Sequence, residues 1–232
     1  MKIALKVVVL SCAVMALACV SPVTIMRPAK TDGGANPVTE VEVLFASGFK
    51  PAGDSWRVDL DGTAVSGFHP GAMPGSRSVA PLSYRENETS GAHTLKLRVT
   101  CGFACVYDTQ TVHFTTPVVR YNTTELRQVA PVLTNQFETV EVYVGVQLAP
   151  SVDIHVQVEE VRTPSQPAAL LRIGTSQSQM QAPGTPISVT IPKGYTRGVF
   201  YIAGQSVGNY TLSLNAPGVV PTRGYGSVWR KQ

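Results

Sequence analysis

Apolar and polar residues alternate with a period of two over most of this chain, and no long segment keeps the 3.6-residue period of an amphipathic helix. Alternation at two places successive side chains on opposite faces of an extended strand, so the pattern predicts strands half buried on a core. Val41, Val43 and Phe45 form the first apolar face. Residues 55–60 alternate next and run into Asp61-Gly62, a pair suited to the positive φ of a tight hairpin turn. Residues 68–78 carry Pro70, Gly71, Pro74 and Gly75 and read as a loop, residues 79–84 as a strand, and residues 86–90 as a polar turn.

A longer pair of strands follows. Leu95, Leu97 and Val99 lead out to Cys101-Gly102-Phe103-Ala104-Cys105, and Tyr107, Val112 and Phe114 lead back. Two cysteines four residues apart on one extended strand would sit about 13 Å apart, whereas a disulfide needs Cα atoms within about 7 Å, so the chain reverses between them. A hairpin centred on Phe103 puts Cys101 opposite Cys105, predicts a disulfide there, and sets Arg98 opposite Asp108. In that register Val112 and Phe114 face away from Leu95 and Leu97, which predicts a β-bulge between Asp108 and Thr111 to return them to the core side.

Residues 116–136, with Pro117 and Pro131, read as a link, with a strand expected at residues 118–121. Val140, Val142, Val144, Val146 and Leu148 alternate, and Val152, Ile154, Val156 and Val158 repeat the pattern after Ala149-Pro150-Ser151. These predict an antiparallel pair. Residues 170–173, 187–191 and 199–203 supply further strands around a polar loop at 176–186. Beyond Pro217 the tail reads either as a last strand or as a frayed end with Trp229 resting on the module.

One heptapeptide occurs twice: Gly91-Ala92-His93-Thr94-Leu95-Lys96-Leu97 and Gly208-Asn209-Tyr210-Thr211-Leu212-Ser213-Leu214. Each has a glycine, a ring two places on, and then Thr-Leu-x-Leu. Two copies predict two similar modules, and 232 residues are enough for two cores of about 100 residues each. The expected organisation is all-β: a signal peptide at 1–18, a flexible tether at 19–37, antiparallel β-sandwiches at 38–116 and 117–219, and a tail at 220–232.

Leu60-Asp61-Gly62, the first heptapeptide and Val112-x-Phe114 together resemble the immunoglobulin-like and fibronectin-III-like modules of bacterial secreted envelope proteins. Ile187-x-Val-x-Ile-Pro-x-Gly, the second heptapeptide and Ala216-Pro217-Gly218 are similar to related modules repeated in bacterial surface proteins. The resemblance spans nearly all of residues 38–219 and implies two tandem immunoglobulin-like sandwiches, a scaffold without a set activity. It also implies that Tyr210, and His93 in its place, occupy the tyrosine-corner position, where a ring bonds to backbone.

The N-terminus adds a compartment. Lys2 and Lys6, an apolar run at 7–17 and the small residues Ala16-Leu17-Ala18 predict an export signal, and the run is too short for a membrane span of roughly 20 residues. Ala16-Leu17-Ala18-Cys19 reads either as a signal-peptidase site or as a box resembling that of bacterial lipoproteins. Of four cysteines, Cys12 leaves with the signal and Cys101 and Cys105 pair, which leaves Cys19 as a lone thiol unless it is modified. Lipidation at Cys19 and a membrane anchor are therefore expected, with free secretion as the other reading. In the lipoprotein reading, Val20 resembles a signal for the outer membrane, and residues 20–36, rich in Ser, Pro, Lys and Gly, would hold the first module clear of it. Loss of Lys2 and Lys6 lowers the formal charge from +4 to about +2, too little for a nucleic-acid partner.

Candidate chemistry is sparse. The hairpin register sets His93 opposite His113, a geometry that could take Zn²⁺ with a third ligand, against the structural corner position given above. His69 and His155 read as surface residues. Gly204-Gln205-Ser206-Val207-Gly208 has Gly-x-Ser-x-Gly spacing but lies between two predicted strands, without the strand-to-helix turn of a nucleophile elbow, and Cys101 and Cys105 lack Cys-x-x-Cys redox spacing. Glu159-Glu160 and Asp59/Asp61 are close carboxylates common on strands and turns, and the sequons at Asn87, Asn122 and Asn209 read as chance. Trp56, Tyr84, Tyr107, Tyr143, Tyr195 and Tyr201 could form an aromatic platform for sugar, although Trp56 fits the inner face with Val58 and Leu60. The expectation is a non-catalytic envelope protein, without metal or cofactor, that binds a protein or glycan or acts as a spacer. Phe103, Phe68 and His69 are its expected contact residues, and the alternative is a carbohydrate-binding or accessory module of an envelope enzyme system.

Overall fold

The computed structural model describes residues 22–29, 34–50, 54–69, 73–88, 90–101, 105–121, 129, 131–144, 149–162 and 170–231, with the backbone alone at 54, 101 and 105–109. All its regular elements are strands. They run β1 (Val23–Arg27), β2 (Glu40–Phe45), β3 (Asp54–Leu60), β4 (Thr63–Ala64), β5 (Arg77–Pro81), β6 (Ala92–Cys101) and β7 (Cys105–Thr115) in the first half. The second half holds β8 (Val119–Tyr121), β9 (Val132–Leu133), β10 (Phe137–Val144), β11 (Ile154–Glu160), β12 (Leu171–Gly174), β13 (Ile187–Ile191), β14 (Arg197–Gly204), β15 (Gly208–Asn215) and β16 (Thr222–Trp229). The first sandwich packs β1-β2-β5 on β4-β3-β6-β7, and the second packs β12-β14-β10-β8 on β13-β11-β15-β16-β9. Each half has its own apolar core, one drawn from Val23 to Phe114 and the other from Val119 to Val228. The chain is a tandem of β-sandwiches, as its periodicity predicts.

In the first sandwich Val41, Val43 and Phe45 are fully buried, and Trp56 turns inward to meet Phe45 edge-on at 5.0 Å. Asp61 and Gly62 take the positive φ values, 48° and 83°, that a tight turn between β3 and β4 requires. The bulge is where the sequence demands it: Leu97 pairs with Gln110 and Arg98 with Asp108, so Thr109 is the extra residue. Val112 and Phe114 thereby reach the core, 6% and 4% exposed.

The bulge also moves His93 opposite Phe114 and leaves His113 opposite Thr94, so the two histidines lie on opposite faces of the sheet. The His93–His113 metal pair does not form.

Two further expectations are corrected, and one open reading is settled. Residues 19–37 were expected to be a tether, yet β1 lies among them, paired antiparallel with β2 and burying Val23 and Ile25. Alternating apolar residues at 23 and 25 cover the inner edge of the sheet, which outweighs the Ser, Pro and Lys around them. The strands β10 and β11 do not pair. β10 bonds to β14 and β8, β11 to β13 and β15, and the two lie in opposite sheets so that both valine rows face one core. The tail supplies a full strand, β16, paired with β15 and, in parallel, with β9.

Two glycines explain why β16 packs so closely. Gly224 lies opposite Leu212, and a Cβ there would sit 2.5 Å from the Tyr121 ring. Gly226 lies opposite Tyr210, and a Cβ there would sit 2.3 Å from that ring. Missing side chains in one strand make room for buried rings.

The sandwiches meet end to end. Val38 N donates to Gly218 O at 3.0 Å, and Thr116 Oγ1 donates to the same carbonyl. Asn87 N donates to Pro221 O at 2.9 Å while its side-chain oxygen accepts from Arg223 N at 2.9 Å. Asn36 Oδ1 accepts from Ser151 N at 2.9 Å. Three segments of the first half thus bond the second. The opposite end of the first sandwich holds the starts of β1, β3 and β5 and the β6–β7 tip.

Candidate functional site

A polar cluster centres on the first heptapeptide. Asp61, at the β3–β4 turn, accepts from Thr94 N at 2.8 Å through Oδ1 and bonds His93 Nδ1 at 2.7 Å through Oδ2. Glu88 Oε2 lies 3.7 Å from the same nitrogen. These three are the group among the described residues whose ligand atoms converge closely enough for a metal ion. Beside them a groove of about 150 Å³ runs between β4 and the segment after β5, lined by Thr63, Val65, Ser83, Tyr84 and Arg85 among others.

The other face of the imidazole decides what the cluster can do. The His93 side chain is 1% exposed, ring against ring with Tyr84 at 4.6 Å and Phe114 at 5.4 Å. Its Nε2 is buried with no hydrogen-bond partner. A neutral ring with the proton on Nδ1, donated to Asp61, leaves only an unused acceptor in the apolar layer. A metal on Nδ1 would move that proton to Nε2 and bury an unpaired donor, whereas metal-bound histidines give their second N–H to a partner. As a general base, Nε2 would face no substrate. The dyad is therefore structural: His93 holds the heptapeptide position that Tyr210 holds in the second sandwich, and Asp61 ties the ring to the Thr94 backbone.

The two buried carboxylates among the described residues have partners of their own, although Asp59 Oδ1 is buried without a hydrogen bond. Asp59, 3% exposed, meets Arg57 at 3.0 Å and Arg98 at 3.8 Å. Glu160, 9% exposed, accepts from Leu170 N at 2.8 Å and Leu171 N at 3.4 Å, and burial raises its pKa despite these bonds. His113 and His155 are exposed and bond cross-strand threonines, Thr94 and Thr190, each at 3.1 Å.

Of the expected contact residues, Phe68 packs edge-on against Trp56 at 4.8 Å and is half buried, and His69 is exposed beside it. The Cys101 and Cys105 backbones pair directly. Their side chains, with Phe103 and Cys19, lie outside the described residues, and so does the expected disulfide. The aromatic platform divides. Trp56 and Tyr84 pack on the first core, while Tyr143 and Tyr201 share the outer face of the β12-β14-β10-β8 sheet.

Phe137, 45% exposed, and Val199, 39% exposed, extend that outer face, and Tyr195 in the turn before β14 is 64% exposed. Phe137 is diagonal to Tyr201, since Phe137 pairs with Ala203 and Thr139 with Tyr201. Tyr143 opposes Arg197, its hydroxyl donates to Glu141, and Arg197 pairs with Glu141 at 3.2 Å. The face thus mixes rings with one charged pair. Phe137 escaped the sequence reading because it directly follows the link at 116–136 and stands three residues before Val140, on the strand face opposite the valine row.

No family model and no curated protein match this sequence. Among solved structures, the chain is similar to surface layer protein SbsC, domains 1–6, at 17% identity and a TM-score of 0.33, covering 76% of this chain and 20% of that one. It is similar to fibronectin(III)-like modules of Clostridium thermocellum CbhA at 12% identity and a TM-score of 0.28, covering 90% and 94%. The chimeric titin Z1Z2-Z1Z2 tandem gives 12% identity and a TM-score of 0.28, covering 91% and 100%. The chain spans about a fifth of the SbsC chain it matches. At the level that its own sheets establish, the chain is an all-β protein of tandem β-sandwiches.

Proposed function

We propose that this protein is an exported, non-catalytic module of the cell envelope, anchored through Cys19, that acts as a binding or spacer element. The observation that carries the reading is the junction. Bonds from Val38, Thr116 and Asn87 to Gly218 and Pro221 join the sandwiches end to end, so the end where the chain enters and the far end of the second sandwich face opposite ways. Such a stack sets a distance and presents a surface. The deciding measurement is the intact mass of the mature protein from membranes. A diacyl or triacyl mass on Cys19 is expected, and an unmodified N-terminus in the medium would remove the anchor.

A second reading has its own support. The rings of Phe137, Tyr143 and Tyr201, beside the Arg197–Glu141 pair, suit a sugar: rings stack on its apolar faces and the charged pair bonds its hydroxyls. Affinity electrophoresis in gels containing envelope polysaccharides tests it. Retardation lost on Tyr201→Ala with unchanged melting supports glycan binding, and no retardation on any polysaccharide sinks it.

A further inference from the structure

Resting on the anchored reading, we infer that the outer end of the first sandwich is apposed to the lipid headgroups, with Met73 as its contact. The argument begins with β1. Pro22 O accepts from Ala46 N at 2.8 Å, so the chain is part of the sandwich from Pro22 onward. From Cys19 to Pro22 there are three residue steps, which reach at most about 11 Å when fully extended. A lipidated Cys19 sits at the membrane surface. Whatever path residues 20–21 take, Pro22 is held within that distance of it. The stretch that reads as a spacer in sequence cannot act as one.

Position within the sandwich decides what meets the surface. Val23 pairs with Phe45, Leu44 with Arg77 and Asp54 with Cys101, so the entry point, the turn after β2 and the turn before β5 share one end. Phe45 N donates to Ser76 O at 3.0 Å, and Gly75 N donates to Phe45 O at 2.7 Å. The turn is stiff: Ser76 N bonds Met73 O at 3.0 Å, Pro74 occupies the second place, and Gly75 has φ 77° in the third. Ser76 Oγ closes it with bonds to Met73 N and O at 3.1 and 2.7 Å. This rigid turn displays Met73, 65% exposed, beside the point where the chain enters. The turn residues 45–49 and 73–76 contain no carboxylate to repel anionic headgroups, although β3 begins on that end with Asp54. A flexible thioether suits the boundary between headgroup and acyl chain.

Peroxide footprinting of the native methionines tests this. Residues 1–18 are replaced by the leader of a lipoprotein of established acylation, so that Cys19 carries lipid whatever its own leader directs. The purified protein is placed in phosphatidylcholine vesicles and compared with a soluble chain that begins at Val20. Met73 oxidation is expected to slow several-fold in vesicles, while Met180, in the second sandwich, is unchanged. An insert of about 25 Gly/Ser residues after Cys19, with a mean span of roughly 25–30 Å, restores the soluble rate. Met73 oxidising at the soluble rate in vesicles, equal protection of Met180, or protection that survives the insert would each overturn the inference. The intact mass of protein made with its own leader reports separately on the anchor.

Discussion

The Gln110 side chain holds the Ile25 backbone by both of its polar groups, accepting from Ile25 N at 2.6 Å and donating to Ile25 O at 3.2 Å. An amide side chain thus does for strand β1 what a neighbouring peptide would do, and it joins β1 to β7 across the open edge of the sandwich. It can do so because Thr109 bulges out of the pairing with β6 and re-aims the residue after it.

Gln110→Ala should therefore loosen β1. Loss of both bonds, leaving the Ile25 groups without protein partners, costs about 1–3 kcal/mol. Urea denaturation would show the lower midpoint, and faster hydrogen exchange at the Ile25 amide would place the loss there. An unchanged midpoint would mean that water replaces the glutamine at no cost.

Gly226→Ala should destabilise the second sandwich by about 1–3 kcal/mol, the usual range for overpacking, since its Cβ would sit 2.3 Å from the Tyr210 ring. The penalty should shrink in a Tyr210→Leu background. A double-mutant cycle with zero coupling would show that the strain arises elsewhere.

Asp61→Ala removes the acceptor for Thr94 N and His93 Nδ1 and places alanine at φ 48°, so it should cost more than Asp61→Asn, which keeps an acceptor and tolerates that φ. Zn²⁺ should leave the native melting temperature unchanged. A rise with Zn²⁺ that Asp61→Asn abolishes would make the cluster a metal site after all.

Glu160 sets a pH dependence. Burial raises its folded pKa above the unfolded value, so the folded state holds the proton more tightly. Its contribution is fully present below the unfolded carboxylate pKa and is lost as pH rises through the folded one. Wild type measured against Glu160→Gln should therefore gain stability toward acid, read from denaturant midpoints over a pH series. The opposite slope would mean that the bonds from Leu170 and Leu171 outweigh burial.

Much of the fold was legible locally. Alternation identified β2, β3, β6, β7, β10, β11, β13 and β15, because each strand's inward face is written in its own residues. Asp61-Gly62 announced its turn by conformational need. The bulge at Thr109 followed from two apolar residues that had to change face. The candidate site was less legible. One extra residue in β7 separated His93 from His113, and of the partners His93 found, Asp61 comes from a turn distant in sequence and Glu88 from the turn just before β6.

The sequence by itself determined an all-β chain with two modules, since period two and a repeated heptapeptide are local facts. Only the tertiary structure decided which strands are neighbours. Backbone hydrogen bonds carry no residue identity, so the valine rows of β10 and β11 fit a hairpin as well as two facing sheets, and burial of both rows in one core chose the sheets. The same cause brought β1 into the first sandwich and the glycines of β16 beside Tyr121 and Tyr210, because a residue's value there lies in what packs against it.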